Sequence, residues 1–370
     1  MEKQDQVSNN SRGSGGQPAT VDHEKLNQFL GRFVADLGAT LHAPTVIIGD
    51  KLGLYRAMAG AGELTSSEIA SRTGTSERYV REWLASQAAS GYVMYNHLSK
   101  KYWLSPEQAF TLADEASPAF LPGAFYIAAS VFKDEPHILE AFKTGKGLGW
   151  HEHDSDLFTG TEKFFRPGYA GNLVSSWLPA LDGVVPKLER GGTVADVGCG
   201  HGSSTIIMAK AYPSSRFVGY DIHGPSIETA RMEAERQGLG DRVRFEVAAA
   251  SSYPGEGFDL VTVFDALHDM GDPVGAASHV LHSLKPEGTW MLVEPYANER
   301  LEENLNPVGR IFYSASTAIC TGASLSQEVG LALGAQAGDS RLREVVTRGG
   351  FTRFRRAAQT PFNRVFEARA

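Results

Sequence analysis

The stretch VADVGCGHGSS, from Val194 to Ser204, joins an apolar run to an aspartate and three glycines at alternate positions. The apolar run predicts a buried β-strand, and the glycines allow a sharp turn that brings the backbone close to a ligand. The N–H groups at the start of a helix then face that ligand. The pattern predicts a nucleotide-like ligand beside Gly198, Gly200 and Gly202, with Asp196 in the strand. A bare turn into a helix is the competing interpretation.

An acidic residue ends the next predicted strand, nineteen residues after Gly202. At that place Asp221 can accept hydrogen bonds from both hydroxyls of a ribose. The loop has no Gly-Lys-Ser/Thr sequence and no lysine near Ser203, so a triphosphate ligand is not expected. The spacing also differs from the dinucleotide fingerprint, because the glycines follow Asp196 as Gly-x-Gly-x-Gly.

Apolar runs and helical patterns alternate from Thr193 onward, which predicts an α/β fold with a parallel sheet and helices on both faces. The short connection 357–361 predicts that the last two strands pair antiparallel at the end of the sheet. The predicted strands are 193–197, 216–220, 242–247, 258–264, 289–294, 351–356 and 362–368. The predicted helices are 203–212, 225–237, 273–284 and 339–348.

A compact helical pattern precedes this region. Thr65 and Glu68 have the spacing of a capping box, and Gly74 ends the short helix. A second helix, 76–91, is followed by two β-prone runs, so helix, turn, helix and hairpin predict a winged helix. Two helices separated near Pro44 are predicted ahead of it. The predicted parts are a disordered tail (1–20), a winged-helix dimerisation domain (21–115), a helical connector and lid (116–190) and a ligand-binding domain (191–370).

Composition and charge restrict the function. The 370 residues carry 35 Lys plus Arg against 43 Asp plus Glu, and residues 41–110 carry seven basic against six acidic residues. Nucleic-acid binding is therefore not expected, since phosphate contacts need clustered positive charge. Two cysteines, Cys199 and Cys320, form neither a disulfide framework nor a cysteine zinc cluster. Without an apolar leader or a run long enough to span a membrane, we expect a cytoplasmic protein.

Together these features resemble the class I S-adenosylmethionine-dependent methyltransferases over roughly residues 190–370. The resemblance implies that the glycine loop surrounds the methionine part of the cofactor, that Asp221 holds the ribose, and that the residues after the third strand flank the adenine. Many members carry Asp where this chain has Ala249, so the adenine must be held by packing, by backbone groups or by Ser251. The implied cofactor residues are Asp196, Gly198, Gly200, Gly202, Asp221, Ile222, Ala249, Ala250 and Phe264.

The fourth predicted strand ends in FDALHDMGDP, 264–273, which resembles the two-domain small-molecule O-methyltransferases of plants and bacteria. The resemblance implies that His268 is the general base and that Glu294 flanks it. Methyl transfer from a sulfonium displaces an activated group, so it needs positioning and a base, and imidazole suits that role near neutral pH. A structural histidine at a helix start is the competing interpretation, and Asp269 is interpreted as structural.

We therefore predict O- or N-methylation of a small-molecule acceptor by a homodimer that uses S-adenosylmethionine. Three alternatives stay open at this point. They are a winged-helix transcription regulator that uses the fold as a ligand sensor, a non-catalytic scaffold, and a metal-assisted C-methyltransferase in which His268 serves as a ligand.

Three further stretches carry candidate residues. HEHDSD, 151–156, has a metal-like composition but no defined ligand geometry, so no metal site is assigned. The aromatic residues of 116–190 predict core packing and, for some of them, a wall over a pocket. The insertion 304–334 predicts a helical packing element in which Cys320 is buried and inert. Its candidate substrate contacts are Asn306, Arg310, Tyr313 and Ser314.

Overall fold

A computed structural model describes residues 21–370, and the predicted disordered tail, 1–20, lies outside the described residues. The described residues divide into two compact units, one ending at His42 and the other covering residues 43–370. Within residues 21–370, no helix combines the length and the apolar character that a membrane crossing requires.

The first helix is longer than the sequence suggested. Helix α1 (His23–Lys51) begins in the first unit, passes Pro44 and ends in the second unit. The predicted break near Pro44 is therefore wrong. Proline removes its own N–H from the helical pattern and crowds the preceding turn, but α1 continues past it, whereas Gly53, with φ of 69°, takes the left-handed conformation that separates α1 from the next helix.

A small helical domain with a two-stranded hairpin follows. The predicted capping box is present, because the Thr65 hydroxyl accepts from the Glu68 N–H and the Glu68 carboxylate accepts from the Thr65 N–H. Gly74 ends that helix with φ of 64°. The elements are α2 (Leu54–Met58), α3 (Ser66–Thr73), α4 (Glu77–Ala89), β1 (Met94–Asn96), β2 (Lys101–Trp103) and α5 (Pro106–Leu112).

Two long helices form most of the connector. Helices α6 (Gly123–Thr144) and α7 (Ser155–Asn172) pack on each other, and α8 (Val184–Arg190) leads into the sheet. Gly160 allows the close approach of α6 and α7, since a Cβ there would lie 2.7 Å from the Ile127 nitrogen.

Seven strands form the main sheet in the order β5-β4-β3-β6-β7-β9-β8. The first five pair in parallel, whereas β9 pairs antiparallel with both β7 and β8. The strands are β3 (Thr193–Val197), β4 (Arg216–Asp221), β5 (Val243–Val247), β6 (Phe258–Phe264), β7 (Leu284–Pro295), β8 (Arg353–Gln359) and β9 (Asn363–Arg369). The predicted fold class, with its antiparallel terminal pair, is confirmed.

Six helices connect or follow these strands, and four of them lie close to the predicted positions. They are α9 (Ser203–Ala211), α10 (Gly224–Arg236), α11 (Pro273–Ser283), α12 (Pro307–Ala315), α13 (Thr321–Leu325) and α14 (Gly338–Arg348). Adjacent residues of one strand enter separate apolar clusters: Val194 belongs to one cluster, and Ala195 and Val197 belong to the other. Each face of the sheet is therefore covered, as expected for parallel strands.

Candidate active site

A cavity of about 410 Å³ opens at the carboxyl ends of β3, β4 and β6. Cavities of this size and place bind ligands in open α/β sheets. We call one wall the loop side; it includes Gly198, Cys199, Gly200, Asp221, Ile222, Ala248, Ala249, Ala250 and Ser251. We call the facing set the aromatic side; it includes Trp150, Phe158, Phe165, Tyr169, Asp265 and Asp269.

The turn after β3 needs glycine at three places. Gly198, Gly200 and Gly202 have φ of 75°, 53° and 79°, a region that other residues rarely adopt. A Cβ on Gly202 would also lie 2.5 Å from the Phe245 ring. Gly198 and Gly200 line the cavity, whereas Gly202 lets α9 pack against the sheet.

Asp196 lies behind the loop and does not line the cavity. Its fully buried carboxylate accepts hydrogen bonds from the Ser204 and Thr205 hydroxyls, both at 2.6 Å, and from the Thr262 hydroxyl at 2.9 Å. Burial raises the pKa of Asp196, and these hydroxyls oppose the rise. The carboxylate therefore ties the start of α9 to the sheet and fixes the position of the turn.

Asp221 faces the cavity at the end of β4. Its two oxygens accept from the Gly200 N–H at 2.9 Å and the His223 N–H at 2.8 Å. Burial raises its pKa, and these two N–H groups oppose the rise. A carboxylate has about four lone-pair positions, so two remain for a ligand. Ile222, Ala249, Ala250 and Phe264, also predicted to touch the cofactor, line the same cavity.

His268 and Glu294 meet as the strand order suggested. His268 Nδ1 lies 2.6 Å from Glu294 Oε2, and Glu294 Oε1 accepts from the Leu267 N–H at 3.0 Å. His268 Nε2 lies 3.2 Å from Asp269 Oδ1. Burial disfavours the charged imidazole, but Asp269 and Glu294 outweigh it and raise the pKa of His268 well above its usual value. His268 is only 4% exposed, and Asp269 is the member of this group that lines the cavity.

Asp265 is a cavity residue that the sequence did not single out. It has a left-handed φ of 48°, and its carboxylate accepts from the Tyr169 hydroxyl at 3.1 Å and the Asn363 amide at 2.7 Å. Burial, together with the nearby Glu294 charge, raises the pKa of Asp265 to about 8. A non-glycine residue held in this conformation at a strand end is a signal of function that only the backbone shows.

One face of α7 supplies much of the aromatic side. Phe158, Glu162, Phe165 and Tyr169 follow one another at helical spacing and line the cavity, and Phe158 stacks on His223 with ring centroids 4.1 Å apart. Other aromatic residues of the connector differ: Phe120 and Trp177 are buried, and Phe132 and Phe142 are exposed. The prediction of both core and wall positions therefore holds for different residues.

The insertion contributes through its C-terminal part. Ala323, Gln327, Glu328 and Val329 line the cavity. The four predicted substrate contacts do not; Asn306, for example, caps α12 by accepting from the Gly309 N–H at 2.9 Å. Cys320 is buried, which raises its pKa to about 12, and its thiol lies beside His268 and Asp269.

Comparisons with known proteins match both parts of the chain. Residues 188–339 match a family model described as a methyltransferase domain, and residues 41–114 match one described as an Rv2258c-like winged HTH domain. A 27-O-demethylrifamycin SV methyltransferase from Amycolatopsis mediterranei is 34% identical over 110 residues, which cover 29% of this chain and 40% of that enzyme. The chain spans less than half the length of the first curated relatives it matches.

Solved structures resemble the chain over nearly all of its length. Human N-acetylserotonin methyltransferase in complex with S-adenosylmethionine has a TM-score of 0.67 at 18% identity, covering 96% of this chain and 99% of that one. A mitomycin 7-O-methyltransferase has a TM-score of 0.65 at 20% identity, covering 94% and 100%. At these identities the likeness concerns the fold. Residues 188–339 thus match a methyltransferase domain and residues 41–114 an Rv2258c-like winged HTH domain, which confirms both parts of the assignment from sequence.

Proposed function

We propose that the protein transfers a methyl group from S-adenosylmethionine to a small-molecule acceptor by O- or N-methylation. The observation that carries this proposal is one cavity with a glycine turn and a ribose-type carboxylate on the loop side and a histidine–carboxylate cluster behind the aromatic side. Bound S-adenosylmethionine supplies a methyl group already activated on a sulfonium. The chain then has to position the acceptor and take its proton.

The loop side fits the adenosyl part of this cofactor. The glycine turn leaves room where a Cβ would narrow the cavity, and Asp221 keeps lone pairs for two ribose hydroxyls. Ile222 is 48% exposed and offers an apolar surface for the adenine ring. Asp196 and Gly202 support the cofactor indirectly in this proposal, because they shape the turn without lining the cavity.

His268 is proposed as the general base, with Glu294 holding its Nδ1 and so directing Nε2 to the aromatic side. Asp269, 3.2 Å from Nε2, lines the cavity and connects the acceptor with His268. Asp269 and Glu294 raise the pKa of His268, which strengthens its affinity for the proton of a hydroxyl or amine, and the fraction of enzyme with deprotonated His268 carries the reaction.

Two measurements test this function. Calorimetry is expected to detect binding of S-adenosylhomocysteine to the purified protein, and absence of binding would refute the cofactor assignment. Incubation with methyl-labelled cofactor and a cell extract is expected to label a small molecule. Label recovered only in macromolecules, or none at all with the cofactor bound, would contradict the proposed acceptor class.

A homodimer is proposed from the surface of α1. Its exposed apolar side chains recur three and four residues apart on one face, which is typical of a helix that a partner covers. They are Leu26, Phe29, Leu30, Phe33, Val34, Leu37 and Leu41. Light scattering after gel filtration is expected to report a dimer and, for Phe33→Glu, a monomer. Gln28→Glu, on the polar face, is the matched control and keeps the dimer.

DNA binding is the alternative that the charges of α4 argue against. Arg78 pairs with Glu82 at 2.6 Å and Arg81 pairs with Glu77 at 3.0 Å on the same helix, so the arginines of this winged-helix element are already neutralised. Phosphate binding depends on unpaired clustered cations. A retarded DNA fragment in a binding screen at low salt would reverse this conclusion.

A further inference from the structure

Three donor groups of different chemistry meet behind the aromatic side. One ligand atom from each of His268, Asp269 and Cys320 lies within 4.8 Å of the other two. Glu294 occupies His268 Nδ1, so the imidazole presents Nε2 to the other two groups. The sequence separates Cys320 from the other two by some fifty positions, and the π-helical segment Ser316–Cys320, which joins α12 to α13, brings it back to them.

The spacing suits a small coordination sphere. Tetrahedral ligands bound at about 2.0–2.3 Å lie roughly 3.3–3.8 Å apart. The distance of 3.2 Å between His268 Nε2 and Asp269 Oδ1 is close to that separation. The three ligand atoms lie within 4.8 Å of one another, so a small rotamer change would bring the Cys320 sulfur to the same separation.

The surroundings of Asp269 and His268 favour metal binding by these two groups over a simple ion pair between them. Asp269 Oδ1 is buried and, among residues 21–370, accepts no hydrogen bond of good geometry. The contact from Glu294 to His268 Nδ1 is the carboxylate–histidine arrangement that orients metal-binding imidazoles. Asp269 also lines the cavity, which gives an ion a route to the cluster.

A second imidazole, that of His153, lies close enough to Asp269 to affect the pKa of that carboxyl. His153 Nδ1 contacts Asp134 at 2.8 Å, and its buried Nε2 has no hydrogen-bond partner in the described part of the chain. The HEHDSD stretch thus places one nitrogen without a hydrogen-bond partner, His153 Nε2, in the neighbourhood of Asp269.

We propose that His268, Asp269 and Cys320 bind a divalent transition metal ion of the zinc type, entering from the aromatic side of the cavity. Mixed nitrogen, oxygen and sulfur donors are typical of zinc and cobalt sites. On binding, the Cys320 thiol proton and any proton on His268 Nε2 leave to solvent, and the ion takes their place. Metal binding does not depend on the proposed function, but the inhibition that we expect from it rests on that function. An ion on Nε2 prevents His268 from accepting the acceptor's proton and therefore inhibits methyl transfer.

Cobalt(II) titration of the chelator-treated full-length protein tests the site. A thiolate-to-cobalt absorption band in the near ultraviolet is expected, and zinc is expected to displace the cobalt. Cys320→Ser is expected to lose the band, and Cys199→Ser, which removes the other buried cysteine, is expected to keep it. Absence of the band in the parent protein, or its loss in Cys199→Ser with retention in Cys320→Ser, would overturn the proposal.

A second variant keeps the test independent of folding defects in Cys320→Ser. Glu294→Gln leaves all three ligands in place and is expected to weaken cobalt affinity by about 10- to 100-fold. Unchanged affinity in a variant that still binds S-adenosylhomocysteine would contradict the site. Zinc is expected to lower turnover and a chelator to restore it; zinc bound without loss of turnover would overturn the inhibition while leaving the methyltransferase proposal intact.

Discussion

The two sides of the cavity differ in how their charges are held. On the loop side, Asp221 is fixed by backbone N–H groups of the glycine turn and of its own strand end. On the aromatic side, Asp265, Asp269 and Glu294 crowd around one imidazole, and burial together with mutual repulsion raises the pKa of Asp265 to about 8. A carboxylate held by fixed backbone dipoles suits binding, whereas coupled groups with shifted pKa values suit proton transfer.

Among the substitutions that test this difference between the two sides, His268→Ala is expected to have the largest effect on activity. Removing the base should lower turnover by about 10²- to 10⁴-fold, while S-adenosylhomocysteine binding on the loop side stays close to that of the parent. Steady-state kinetics and calorimetry on the same preparation measure the two quantities. His268→Asn, which keeps more of the buried volume, is the control for packing. Equal losses of turnover and cofactor affinity would mean that the two sides do not divide the work as proposed.

Asp221→Ala should have the opposite effect, a loss of cofactor affinity with turnover at saturating cofactor largely kept. Loss of hydrogen bonds to a charged group costs about 1.5–3 kcal/mol, or roughly 10- to 150-fold in affinity for S-adenosylhomocysteine. Asp241→Ala removes a carboxylate that is 78% exposed in the same domain and should leave the affinity unchanged. The secondary-structure content, measured by circular dichroism, should be the same in both variants. A fall in turnover at saturating cofactor, with unchanged affinity, would contradict the assignment of Asp221 to binding.

The loop side could be predicted from sequence because its determinants are local. A strand, a turn that only glycine can form and an acid at the next strand end all occur within Val194–Asp221. The aromatic side is assembled from segments far apart in the chain, so Asp265 and the approach of Cys320 to His268 left no periodic or spacing signal. The break predicted at Pro44 failed for a different reason, since a proline inside a helix removes one hydrogen bond and the helix continues past it.

A substitution at Asp265 tests whether the carboxyl groups on the aromatic side have raised pKa values. Its pKa rises from 3.8 to about 8 on folding, so the folded state holds a proton that the unfolded chain loses. The stability from this proton is fully present below about pH 4 and is lost as pH rises to about 8. The free energy of unfolding of Asp265→Asn, relative to that of the parent, should therefore increase as pH rises from about 4 to about 8 and stay constant above pH 8. Urea unfolding at several pH values measures the difference, and a difference independent of pH would exclude protonated Asp265.

The smallest expected effect concerns the adenine end of the loop side. Ala249 is exposed and lines the cavity, at the position where the resemblance noted from the sequence implies an Asp. Ala249→Asp should add an acceptor for the adenine amino group, and a net hydrogen bond of about 0.5–1.5 kcal/mol corresponds to roughly 2- to 12-fold tighter binding of S-adenosylhomocysteine. S-inosylhomocysteine, which lacks that amino group, is the matched control ligand and should gain nothing. An equal gain for both ligands would assign the effect to charge alone. Weaker binding of both would mean that the adenine amino group does not reach position 249, because the new carboxylate would then lose water without gaining a hydrogen bond.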